Sequence, residues 1–106
     1  MTSKAMRELL HFVELKAFDP VLRAKPDGRA ESEKKKLAHV QKATKAEVDR
    51  YRHYSSARQL VTNFKRDLDS EPAKKMHAEL RSLGLPTIED IREEFERKAH
   101  KLGVSA

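Results

Sequence analysis

Apolar residues recur along the chain at spacings of three and four, the period of a helix with one buried stripe. Met6, Leu9, Leu10, Val13 and Ala17 predict a first helix over residues 4–17, capped by Thr2 or Ser3. Phe12 lies off the centre of that stripe and is expected to touch a different neighbour. Leu37, Val40, Thr44, Val48, Tyr51 and Ser55 predict the longest helix, beginning near Glu31–Glu33 with Ser32 as its cap and running to about Tyr54. Its spacing is close to a heptad seam, but it covers fewer than three heptads, so a local antiparallel pair is expected rather than a long coiled coil. Ser55-Ser56 is expected to break this helix, because serine pairs favour caps over helix interiors. Ala57, Leu60, Val61, Phe64 and Leu68 then predict a helix over 57–68, and Met76, Leu80 and Leu83 predict another after the cap-like Ser70-Glu71-Pro72.

The clearest punctuation is Leu83-Gly84-Leu85-Pro86-Thr87-Ile88-Glu89-Asp90. Gly84 suits the left-handed residue that closes a helix, Pro86 prevents its resumption, and Thr87 with Asp90 three residues on reads as a capping pair. The last helix, Ile88–Leu102, has its acids in the first turns and its bases in the last, matching the helix dipole, and Gly103 closes it. Asp19-Pro20 reads as a stop and a possible restart, with Asp19 as a cap and one helical turn over residues 20–24, before the tight turn at Lys25-Pro26-Asp27-Gly28. Between Asp19 and Lys36 the only large apolar residues are Val21 and Leu22, so this stretch is expected to be the least ordered. The fold class is therefore all-α: residues 1–106 as a single helical domain, a small bundle of four to five helices with an irregular segment near residues 19–32. Leu60, Val61, Phe64, Leu80, Ile91 and Phe95 are the expected centre of its core.

Composition qualifies that picture. Only 23 of the 106 residues are Leu, Ile, Val or Phe, near the ~20% level below which highly charged chains tend not to fold. Well-patterned helices must compensate, and a protein partner or a second copy that covers an apolar face would help. Cysteine is absent, which excludes disulfides, thiolate metal sites and cysteine nucleophiles. No apolar run is long enough to span a membrane, and the first residues carry neither a secretory signal nor a myristoylation glycine. A reduced, cytoplasmic setting is expected.

Charge is the remaining signal. The formal net charge is +6, and between Lys34 and Arg66 there are 10 basic side chains against 2 acidic ones. On a helical wheel Lys34, Lys35, Lys42, Lys45 and Arg52 fall within roughly 100° of one another. With Arg58, Lys65 and Arg66 they form the candidate anion-binding or nucleic-acid-binding face. Five phosphate contacts along it would give a log–log salt slope near −4.5, or roughly 500-fold weaker binding from 50 to 200 mM salt. The bland counterpart of this reading is a solvated helix face.

Other motifs fall short of chemistry. The five histidines include no pair three or four residues apart, so no helical pair of imidazole ligands exists. Glu8-Leu9-Leu10-His11 is half of a carboxylate-bridged metal motif with no second copy. The Gly84 turn suggests a helix-turn-helix, but Glu89, Asp90, Glu93, Glu94 and Glu96 would carry negative charge towards phosphates. Gly-rich phosphate loops and nucleophile elbows are absent. The sequence thus reads as a non-enzymatic interaction or regulatory module with no cofactor, metal or small-molecule substrate. A protein partner or self-association is the first expectation, and sequence-nonspecific nucleic-acid binding through the basic central helix is the rival.

Overall fold

The computed structural model describes residues 3–104, and the architecture is all-α. Helix α1 (Lys4–Val13) starts at Ser3, whose Oγ accepts the Met6 N–H at 3.1 Å. Thr2, the other candidate cap, lies outside the described residues. The helix does not stop at Asp19-Pro20 as the sequence suggests. It widens into a π-helical turn, Glu14–Phe18, where the Asp19 N–H donates to the Glu14 carbonyl, and then runs on as α2 (Asp19–Leu22). A proline inside a helix has no N–H to offer and clashes with the preceding turn. The widened turn just before Pro20 accommodates both defects. It also takes up one extra residue, which rotates the downstream residues by roughly 100° relative to an uninterrupted helix. That rotation brings Phe18 and Val21, both buried, onto the face already formed by Met6, Leu9 and Val13.

The irregular segment is narrower than 19–32. It is confined to residues 23–30, between α2 and α3 (Glu31–Arg52), and it is tied at both ends. Gln41 on α3 donates to the Val21 and Ala24 carbonyls at 3.1 and 2.8 Å, which satisfies the end of α2. Arg29 reaches the Leu83 carbonyl at 3.2 Å and Glu33 at 3.3 Å. Helix α3 begins after Ala30, without a side-chain cap, so Ser32 lies inside the first turn rather than before it. Leu37, Val40, Thr44, Val48 and Tyr51 are all buried along one side, as their spacing predicts, whereas Ser55 lies beyond the helix and is exposed.

The serine pair does break the rod. Ser56 caps α4 (Ala57–Asp69) by accepting the Gln59 N–H, and Ser70 caps α5 (Glu71–Ser82) by accepting the Ala73 N–H. Gly84 then takes φ +74°, with the Gly84 N–H on the Arg81 carbonyl and the Leu85 N–H on the Leu80 carbonyl, both at 2.9 Å. This is the full glycine-closed helix end, including the contact of Leu85 with the cluster that holds Leu80. Thr87 and Asp90 form a reciprocal capping box. The turn they cap is a tight 3-10 turn, Ile88–Ile91, rather than α-helix, and α6 (Arg92–Lys101) follows it.

Two apolar clusters fill the interior. The larger joins Met6, Leu9 and Val13 to Leu60, Phe64, Phe95 and their neighbours. Phe64 and Phe95 stack at its centre with ring centroids 4.1 Å apart and planes 18° apart. Phe12, off the α1 stripe, does not leave for a separate neighbour: it packs at the edge of the same cluster, its ring 6.5 Å from that of Phe95. The smaller cluster holds Val21, Leu37, Val40, Leu80 and Leu83. Leu80, expected at the core centre, therefore belongs to a second cluster, while Leu60, Val61, Phe64, Ile91 and Phe95 share the first. No helix in the described residues is long and apolar enough to cross a membrane.

Candidate anionic-partner interface

Helix α3 runs 22 residues, a rod of roughly 33 Å. Its buried side is apolar, and its outer side carries Lys35, Ala38, His39, Lys42, Lys45 and Ala46, all exposed. Among the described residues no ion pair engages Lys35, Lys42 or Lys45. They are spread over about 15 Å of helix rise. The stretch is free of acids between Glu33 and Glu47, so these three positive charges stand without local neutralisation.

The eight sequence-predicted residues do not form one face. Arg52 is taken by Glu14 of the π-helical turn in a two-pronged contact, Nε to Oε1 at 2.7 Å and a terminal nitrogen to Oε2 at 3.3 Å. Lys34 pairs with Glu31 at 3.3 Å, and Arg66 lies 3.8 Å from Asp67. On α4 the Asp67 carboxylate points to α3, where it meets Arg50 at 2.6 Å and the Tyr51 hydroxyl at 3.0 Å. Arg58 and Lys65 lie roughly 160–180° around α4 from Asp67, so they face away from α3 and belong to a different surface. The contiguous free set is Lys35, Lys42 and Lys45.

Sequence reasoning missed the polar junction beyond this row, at the C-terminal end of α3. Arg50, Tyr51, Glu47 and Asp67 connect the end of α3 to the end of α4. Arg50 also sits over the Tyr51 ring, 5.4 Å from its centroid. Burial pushes the Tyr51 hydroxyl far above its ordinary range, with the nearby Asp67 and Glu47 carboxylates adding to it, so the phenol stays protonated and donates to Asp67. Burial likewise raises the Glu47 carboxyl, against the opposing pull of Arg50. An open groove lined by Glu47, Arg50, Asp67, Ser70 and Met76 lies beside the junction. Its one cation, Arg50, pairs with both of its carboxylates, Asp67 at 2.6 Å and Glu47 at 3.9 Å. Among the described residues no group of three or more histidine or carboxylate side chains is placed to hold a metal ion.

Comparison of the chain with protein-family models, with curated proteins and with solved structures finds no match. The outer face of α3 is therefore read on its own chemistry.

Proposed function

We propose that this chain is a non-enzymatic interaction module that engages an anionic partner through the outer face of α3. The observation that carries the reading is the row Lys35, Lys42 and Lys45, exposed and unpaired on a rigid 22-residue rod while Arg50, Arg52, Arg81 and Arg92 are spent on intramolecular carboxylates. Rigidity matters, because the backbone already holds the charges in register and only the lysine side chains remain to be ordered on binding. Among the described residues Leu15 is the one large hydrophobic side chain that is exposed, at 52%. Self-association or protein recognition would then rely on charge rather than on an uncovered apolar face.

An acidic protein surface is the first reading. A phosphate polymer, bound without sequence preference, is the second, and one observation favours it. The side chains between the lysines are alanines and a histidine, so the face lacks the Trp, Tyr and Arg anchors in which protein–protein binding energy concentrates, while phosphate contacts need only the cations.

Fluorescence anisotropy with mixed-sequence duplex DNA, RNA and an oligoglutamate peptide tests the reading. Three phosphate contacts predict a log–log salt slope near −2.7, or roughly 40-fold weaker binding from 50 to 200 mM salt, and not the 500-fold of a five-residue face. Binding of the peptide but not of either nucleic acid selects the protein partner. A Lys35→Glu/Lys42→Glu/Lys45→Glu variant should bind none of them. The reading fails if this variant binds like the wild type, or if the wild type binds no polyanion at 50 mM salt.

A further inference from the structure

His77 sits on the inner side of α5, only 6% exposed, and neither of its ring nitrogens has a hydrogen-bond partner among the described residues. Most buried polar groups are paired, so an imidazole left this way needs a reason. The ring borders a small void lined by Phe18 and Val21 from the N-terminal rod, Thr44 and Glu47 from α3, and Thr87 and Ile88 at the start of the 3-10 turn. Its volume is about 10 Å³, on the scale of a single water site and too little to hydrate a charged ring.

We propose that His77 is an acid-sensitive latch: its neutral ring lets α5 close against α2, α3 and the 3-10 turn, and a proton on that ring opens the packing. The charged groups facing it do not offset the cost. From the 3-10 turn Glu89 and Asp90 would favour the charged ring, but both already pair with Arg81 at 2.9 Å, and Arg81 opposes it. From α4, Asp67 is engaged by Arg50 and Tyr51. The facing residues of the N-terminal rod, Ala17, Phe18 and Val21, are apolar. Glu47 is the facing acid of α3, and burial raises its own carboxyl towards the neutral form.

Burial holds the His77 ring below its ordinary range, so the unfolded chain binds a proton near pH 6.5 that the closed fold refuses. Stability from this group is complete above pH 6.5 and is lost as pH falls through the folded value. Glu47 acts in the opposite sense: its raised carboxyl takes up a proton more readily in the folded state, which adds stability as pH falls towards 4.5. The separation is clearest between pH 7.5 and 5.5.

Urea unfolding at those two pH values, in the wild type and in His77→Gln, tests the latch. The unfolding constant of the wild type should rise by up to about tenfold from this one proton, and the rise should largely vanish in the variant, which keeps a polar side chain of similar size that does not titrate. The other four histidines are exposed and are common to both proteins. An equal rise in wild type and variant overturns the proposal. Should His77→Gln fail to fold, an NMR titration of the wild-type His77 ring decides the matter: a midpoint below 6.5 supports the latch, and one at or above 6.5 refutes it.

Discussion

Asp67 joins two helices with one carboxylate, and the size of its contribution can be worked from its contacts. One oxygen, Oδ2, accepts from Arg50 at 2.6 Å and from the Tyr51 hydroxyl at 3.0 Å. Tyr51 is fully buried, whereas the Arg50 side chain is 41% exposed. Tyr51→Phe removes a donor to an ionised acceptor, worth about 1.5–3 kcal/mol. The lower end applies, because Asp67 keeps Arg50. Asp67→Ala removes both bonds and strands the Tyr51 hydroxyl, for about 3 kcal/mol. In the Asp67→Ala background Tyr51→Phe should then cost almost nothing, since the hydroxyl it deletes has no acceptor left. The double-mutant cycle should therefore return a coupling energy of at least ~1 kcal/mol. Urea denaturation of the four proteins measures it, with unchanged m-values as the check that the unfolded state is comparable. A domain of this size has roughly 5–15 kcal/mol in total, so both single effects are readable. If Tyr51→Phe costs the same in both backgrounds, the bond from Tyr51 to Asp67 does not hold the junction and the reasoning fails.

Two further outcomes concern the helix ends. Gly84→Ala should destabilise by about 1 kcal/mol, because φ is +74° and a side chain there is strained, although the added carbon would meet nothing within 4 Å; a thermal melt indistinguishable from wild type would contradict it. Arg81 bonds Glu89 and so depresses its carboxyl. Burial pushes the Asp90 carboxyl up, but the Thr87 N–H and Arg81 more than reverse this and leave it low. Their stabilisation is present above the ordinary carboxylate range and is lost as pH falls through the depressed values. Arg81→Ala should therefore show a shallower loss of stability between pH 5 and pH 3 than wild type does, followed by circular dichroism; parallel curves would show that Arg81 plays no part.

What was legible in the sequence was local. The caps at Ser3, Ser56, Ser70 and Thr87, and the glycine closures at Gly84 and Gly103, depend on residues within a turn of one another. The buried stripes depend only on period. What was not legible depends on residues far apart. No spacing on α3 could show that Arg52 meets Glu14, 38 residues earlier, or that Gln41 closes the end of α2. A helical wheel aligns Lys35, Lys42 and Lys45 correctly for one helix, but it cannot place α4 beside that helix, and Arg58 and Lys65 lie on a different surface from the one their charge suggests. A uniform 100° step puts Phe18 off the α1 stripe. The period changes at Glu14–Phe18, and the signal that could have revealed it is the proline just beyond, Pro20.

The widened turn also links the two clusters. A single N-terminal rod sends Met6, Leu9, Val13 and Phe18 into one cluster and, past the turn, Val21 into the other. Each cluster takes part of its lining from the same continuous backbone, so displacement of that rod would disturb both at once.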